Sequence, residues 1–283
     1  WKQVKGLLVI SEGIKKDLLS FGVEENKIII ARDAVDLEKF KISETQFESR
    51  VKLHLDDHEK IVLYAGHLYE WKGADLVAQA AKYLTEAQIY LVGGTKEDVE
   101  NFKKKYSFAN LHIVGFTPHE EIPRWLSAAD ILVLPNSAKE KISRNYTSPM
   151  KLFEYMTAKR PILASDLPSL KEVLDANSAV FFRADNVVSF VAEIKKMLVE
   201  DKKMENIPDR DVYMNKEYVR RFIMDVRGVI ERVGVKNLDK EAFAEVEAQR
   251  KMDEAKGAVE TAKKIEHLPP EPVGEPSPAV EKK

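Results

Sequence analysis

Short apolar runs alternate with helix-like segments through most of this chain, from residue 59 onward. Each run has the length of a buried strand, and each is followed by a segment with helical periodicity. We predict strands at 61–65, 88–92, 111–114, 131–134, 161–165 and 179–182, and between them helices such as 73–84, 117–128 and 187–199. Apolar strands separated by helices form a parallel sheet that helices cover on both faces. The fold class is therefore α/β, with ligands expected outside the carboxyl ends of the strands.

The stretch before the fifth of these strands has the features of an anion site. Ser148 is a favourable N-cap residue, and Pro149 suits the first position of a helix because it lacks an N–H group. The amides of Met150 and Lys151 would then lack partners at the positive end of that helix. Such an end binds anions, phosphate above all, and Lys151 adds a charge. We therefore predict that this helix start faces a phosphate group.

The residues that follow complete a ligand site of α/β type. Glu154 lies about one helical turn further along, where its carboxylate can reach a sugar hydroxyl. The helix ends at a basic turn, and residues 161–165 form a short buried strand. Ser169 and Glu172 have the spacing of a capping box, which predicts a second helix.

The run Ser-Pro-Met-Lys-Leu-Phe-Glu-Tyr-Met at 148–156, followed by Pro-Ile-Leu-Ala-Ser at 161–165, resembles a known motif. It is similar to the donor-binding motif of the GT-B glycosyltransferases of family 4 (glycosyl transferases group 1), and the resemblance covers residues 1–233. It implies a Rossmann-like domain, with Glu154 as the second glutamate of a Glu-x7-Glu pair that holds the ribose. Tyr146 occupies the position of the first glutamate, which is absent. Whether Tyr146, Asn145 or Glu140 replaces it is left open.

Three further loops agree with this resemblance. The segment Gly66-His-Leu-Tyr-Glu-Trp-Lys72-Gly resembles Gly-Arg-Leu-x-x-x-Lys-Gly, in which Arg and Lys neutralise the donor diphosphate. It implies catalytic roles for Lys72 and for His67, which stands where Arg is usual. A solvated lysine and a packed histidine are the structural alternatives. Gly93 permits close approach of a ligand or makes a turn, and Phe116 either seats the nucleobase or is buried.

Composition excludes several other classes of protein. Lys and Arg total 45 against 47 Asp and Glu, so no global positive field favours nucleic acid. The chain lacks cysteine and any apolar run of membrane-spanning length, which favours a cytoplasmic location. Peripheral contact of a full-length enzyme with a membrane is left open. We expect no metal site: His54 and His58 have ligand spacing without a third ligand nearby, and Asp209-Arg-Asp211 follows no predicted strand.

We expect five regions along the chain, and we expect more chain upstream because the first methionine is Met150. The predicted regions are 1–40, the end of an N-terminal acceptor domain; 41–58, an irregular charged linker; 59–206, the nucleotide-sugar-binding domain; 207–235, crossing helices; and 236–283, a charged, Pro-rich tail that is largely disordered.

The function that this resemblance implies is sugar transfer from a nucleoside diphosphate sugar to a hydroxyl acceptor. It also implies retention of the anomeric configuration and a reaction without metal or other cofactor. The chain would supply the donor-binding half, and the isolated chain would turn over poorly. A saccharide or lipid-linked acceptor would bind through the missing N-terminal domain. Two alternatives stay open: a nucleotide-sugar epimerase of the same architecture, and a non-catalytic nucleotide-binding or interaction module.

Overall fold

A computed structural model describes residues 4, 6–35, 40 and 42–200 of the chain, apart from the side chain of residue 200. The first part is a small parallel sheet of two strands, β1 (Leu7–Val9) and β2 (Ile28–Ile30), joined by helix α1 (Glu12–Ser20). Ser11 caps α1 by accepting a hydrogen bond from the Ile14 amide. The first described part of the chain is therefore a single βαβ motif.

A six-stranded parallel sheet forms the larger part, and all six strands predicted after residue 59 are present. The strands are β3 (Ile61–Ala65), β4 (Gln88–Val92), β5 (Leu111–Gly115), β6 (Ile131–Leu134), β7 (Ile162–Ser165) and β8 (Val180–Phe182). Their spatial order is β5-β4-β3-β6-β7-β8. The direction of the crossovers therefore reverses between β3 and β6. In open α/β sheets, the crevice at such a switch point, beyond the carboxyl ends of the strands, is where ligands bind.

Helices cover both faces of this sheet, so the α/β fold class is confirmed. They are α2 (Gln46–Lys52), α3 (Ala74–Ala80), α4 (Lys96–Lys105), α5 (Ile122–Ala128), α6 (Met150–Thr157), α7 (Pro168–Lys171) and α8 (Val187–Glu200). Successive strand residues point to opposite faces, which produces two apolar cores. Val62 and Tyr64 of β3 contribute to the core under α3 and α8, whereas Leu63 contributes to the core under α5 and α6.

Helix α2 corrects the expectation that residues 41–58 are irregular. Thr45 and Glu48 form a complete capping box at its start. On its inner face, Arg50 is buried and donates to the carbonyl of Ala128 at 2.9 Å and to the Asp130 carboxylate at 2.7 Å. The charged side chains of this region therefore join α2 to the six-stranded domain.

Several predictions fall outside the described residues. They concern the last part of the region 59–206, the crossing helices at 207–235, the segment Asp209-Arg-Asp211 and the tail at 236–283. Within the part of the chain that the structure describes, no helix is long and apolar enough to cross a membrane.

Candidate functional site

The predicted site residues lie in loops at the carboxyl ends of the strands, around the switch point between β3 and β6. The loop after β3 is held against the loop after β6. The Ser137 amide donates to the Trp71 carbonyl at 2.9 Å, and a Cβ at Gly73 would come within 1.8 Å of the Pro135 carbonyl oxygen. This close approach explains a glycine at position 73, where φ is +76°.

Gly66 and Gly93 are required by the packing of this edge of the sheet. A Cβ at Gly66 would lie 1.8 Å from the Lys151 Nζ atom, and φ at Gly66 is +146°. A Cβ at Gly93 would lie 2.3 Å from the Gly66 carbonyl oxygen. Gly66 therefore leaves the space that the Lys151 side chain occupies, and Gly93 lets its own backbone approach that of Gly66.

The Lys151 side chain lies in a setting of low polarity. Its Nζ atom donates to the Tyr64 hydroxyl at 2.9 Å and lies 4.1 Å from the centroid of the Tyr64 ring. Burial lowers the pKa of Lys151 well below its usual value, and the positive charge of Lys72 lowers it further. An anion bound here would oppose both effects, so the site is electrostatically prepared for a negative ligand.

Lys72 and His67 belong to the loop after β3, and both lie near the Lys151 side chain of α6. The Lys72 Nζ atom lies 5.0 Å from the centroid of the Trp71 ring, and burial lowers the pKa of Lys72. The Lys72 side chain is therefore partly buried, and its role in binding phosphate stays a prediction. His67 is exposed and stacks on Tyr69 with ring centroids 5.0 Å apart, so it is not a packed core histidine. Burial of part of the ring and the nearby lysines lower the pKa of His67.

The start of α6 differs from the predicted cap. Pro149 is the N-cap residue, and no side chain caps the helix. The Ser148 hydroxyl instead accepts a hydrogen bond at 3.0 Å from the amide of Asp33, which follows β2. Met150 and Lys151 are the first two residues of α6, and amides at these positions have no acceptor within a helix. The predicted anion site is therefore available at this helix start, although Ser148 does not create it.

Glu154 is almost completely buried and has a partner that the sequence did not suggest. Its Oε1 atom lies 3.0 Å from the Nε2 atom of His119. His119 begins a 3₁₀ turn just before α5, and the nearby Thr117 hydroxyl donates to the Gly115 carbonyl. The arrangement places a carboxylate and an imidazole side by side at the loop after β5.

Phe116 follows the last residue of β5 and is 81% exposed, so the alternative of a buried ring is wrong. A planar apolar side chain of this kind, at the carboxyl end of a strand, presents a surface on which a base can stack. The structure leaves the role of Phe116 as a nucleobase seat a prediction.

Tyr146 contacts the first segment of the chain. It ends a π-helical turn, Ile142–Tyr146, and its hydroxyl hydrogen-bonds the Asp17 carboxylate of α1. Lys141 also pairs with Asp17 at 2.8 Å. Asn145 also contacts the first segment of the chain: its backbone carbonyl oxygen accepts a hydrogen bond from the Ser11 hydroxyl at 3.3 Å. The role of Asp17 was missed, because nothing in the local sequence connects it to Tyr146.

Among the residues that the structure describes, no group of three or more His, Asp or Glu side chains is arranged to hold a metal ion. His54 and His58 therefore have no such cluster around them. The absence of a metal requirement remains a prediction.

Comparisons with known proteins agree with this architecture. The model of the family described as "Glycosyl transferases group 1" matches residues 45–210. A curated relative, alpha-galactosylglucosyldiacylglycerol synthase of Streptococcus pneumoniae, is 25% identical over 186 residues, which are 62% of this chain and 48% of that protein. Alpha-D-kanosaminyltransferase of Streptomyces kanamyceticus is 28% identical over 148 residues, 49% of this chain and 36% of that protein. The chain thus spans about half the length, or less, of these curated relatives.

Among solved structures, HepE of Anabaena in complex with UDP and glucose is similar with a TM-score of 0.66 and 15% identity. The match covers 80% of this chain and 63% of that one, and at this identity it shows the fold alone. The described domain has the Rossmann-like fold of GT-B glycosyltransferases. The family model matches residues 45–210, which are more than half of the whole chain. This chain therefore belongs to the glycosyl transferases of group 1.

Proposed function

We propose that this chain is the C-terminal, donor-binding half of a family 4 glycosyltransferase. The whole enzyme would transfer a sugar from a nucleoside diphosphate sugar to a hydroxyl acceptor, with retention of anomeric configuration. One observation carries the proposal: Lys151, with its pKa lowered by burial and by Lys72, adjoins the open amides of α6 at the switch point of the sheet. The UDP complex of HepE, a protein of similar fold, supports a nucleotide ligand.

The chemistry follows from where charge develops during sugar transfer. When the glycosidic bond to the diphosphate breaks, negative charge accumulates on the leaving phosphate. Lys72, Lys151 and the two amides at the start of α6 would stabilise that charge without reorganising. Because these groups supply positive charge themselves, we propose that the reaction requires no metal ion. The exposed ring of His67 would provide a further contact to the same group.

Two other groups would bind the nucleoside. Glu154 presents a carboxylate oxygen that can accept hydrogen bonds from ribose hydroxyls, and His119 holds it in place at 3.0 Å. The ring of Phe116 would stack on the base. The acceptor would bind to the part of the enzyme that this chain does not supply, so we expect the isolated chain to transfer sugar slowly.

The engagement of Tyr146 with Asp17 favours a second candidate, a nucleotide-binding module without catalytic activity. Tyr146 stands where the resemblance places the first glutamate, so that position itself has no acidic side chain. Product analysis with a panel of nucleotide sugars distinguishes the candidates, if it uses this chain extended by an upstream domain. Transferred or hydrolysed sugar supports a glycosyltransferase, isomerised sugar supports an epimerase, and binding without turnover supports the module.

Calorimetric titration tests the site itself with UDP, GDP, ADP and the corresponding nucleosides. Glu154→Ala should weaken binding of nucleoside and diphosphate alike by about ten- to a hundredfold, because it removes a charge-assisted hydrogen bond. Lys72→Ala should weaken the diphosphate only. Lys60→Ala is the matched control, since this exposed lysine precedes β3 at the opposite edge of the sheet.

Melting curves of each variant separate a binding defect from a loss of folding. If Glu154→Ala and Lys72→Ala both bind every nucleotide as the parent does, the proposed site is wrong.

A further inference from the structure

Asp33 is an acidic residue next to the proposed anion site. It follows β2, and its amide donates to the Ser148 hydroxyl at 3.0 Å. The Ser148 hydroxyl in turn hydrogen-bonds the Asp33 carboxyl group. Ser148 lies two residues before Met150, so this carboxyl group is bonded to the segment that leads directly into α6.

Asp33 is partly buried. Burial raises the pKa of Asp33, and the hydrogen bond with Ser148 opposes that effect only in part. The neighbouring cation, Arg32, is directed to acidic groups on two other elements: its Nη2 atom lies 3.3 Å from Glu172 and 3.8 Å from Glu12. Asp33 thus adds a negative charge next to the start of α6, where the open amides, Lys72 and Lys151 attract anions.

We propose that Asp33 limits the affinity of the α6 site for diphosphate, so that the nucleoside diphosphate product is released after transfer. This inference rests on the proposed function. Like charges near a helix end repel each other, and the repulsion acts on the phosphates and not on the nucleoside. An ionised Asp33 therefore opposes Lys72 and Lys151 at the same ligand group.

The test is Asp33→Asn, which removes the charge while preserving the side-chain shape and the amide bonded to Ser148. Titration at pH 8 in EDTA should show UDP binding about three- to tenfold more tightly, with slower dissociation in stopped-flow measurements. Uridine affinity should stay unchanged, and the gain for UDP should shrink in high salt because screening weakens the repulsion. If Asp33 had only a structural role, Asp33→Asn would change neither the difference in affinity between UDP and uridine nor the salt dependence of that difference.

Glu25→Gln is the control, because it removes an acid from the same segment, where Glu25 pairs with Lys15 at 2.7 Å. It should leave UDP binding unchanged. Equal or weaker UDP binding by Asp33→Asn in EDTA overturns the inference. Binding that is weakened only when Mg²⁺ is added also overturns it, because Asp33 would then be a ligand of the cation. If Lys72→Ala weakens UDP while Asp33→Asn does not tighten it, this inference fails and the proposed function stands. If the parent binds no nucleoside diphosphate, both fail.

Discussion

Binding of the donor diphosphate should be coupled to uptake of a proton by Lys151. In the free protein, burial and the charge of Lys72 hold the pKa of Lys151 well below 10.5, although Glu154 acts in the opposite direction. A bound diphosphate stabilises the protonated form and raises this pKa. Between the free and bound pKa values, binding therefore takes up a proton, and affinity falls as the pH rises through that interval.

The size of the effect follows from Coulomb's law. A phosphate oxygen about 4 Å from the ammonium group attracts it by about 4 kcal/mol at an effective dielectric constant near 20. This attraction favours the protonated form of Lys151, which burial and the charge of Lys72 disfavour in the free protein. Binding should therefore be accompanied by net uptake of a proton.

Titration calorimetry with UDP at pH 8.5 measures this uptake directly. The apparent enthalpy is compared in buffers that differ in ionisation enthalpy, and the slope equals the number of protons exchanged. The second ionisation of a phosphate lies near pH 6, so the ligand contributes little at this pH. Lys151→Met should lose most of the uptake and bind UDP more weakly.

Lys171→Met is a suitable control, since Lys171 also lies over an aromatic ring, 5.2 Å from the centroid of Phe181, but pairs with Asp166 at 2.6 Å. It should behave as the parent does. A parent protein that exchanges no protons, or a Lys151→Met variant that keeps the full uptake, would refute the reasoning.

Two further predictions concern the support of the site and of α2. Gly66→Ala should displace the Lys151 ammonium, 1.8 Å from the new Cβ, and add backbone strain of about 1–3 kcal/mol. Chemical denaturation should show that loss, together with weaker UDP binding; an unchanged variant would mean that the lysine lies elsewhere. The pKa of Glu44 is lowered to about 2, chiefly by hydrogen bonds from Arg124, so its carboxylate stabilises the fold above pH 4.5 and loses this effect as the pH falls toward 2. Glu44→Gln should therefore lower the free energy of unfolding at pH 7 by about 1 kcal/mol, and the difference from the parent should disappear near pH 2; equal stabilities at pH 7 would contradict it.

The fold was largely predictable because its signals are local. An apolar run with no alternation needs burial on both faces, and the helices between such runs provide it. The strands at 61–65 and 88–92 were therefore located correctly. Helix α2 was missed although Thr45 and Glu48 have capping-box spacing, because its charged residues suggested exposure. Only the fold supplies Asp130, the partner that allows Arg50 to be buried.

Within the candidate site, the sequence by itself determined the residue types and the ends of the strands on which they lie. It also placed an open helix start after Pro149. The tertiary structure decided which groups meet. Ser148 has the local chemistry of an N-cap, but the amide of Asp33, 115 residues away, binds its hydroxyl. Gly66 fits any tight turn, yet the side chain that requires it comes from Lys151. Helix caps and strand patterns depend on near neighbours in the chain, whereas these partners become neighbours only when the strands are ordered in the sheet.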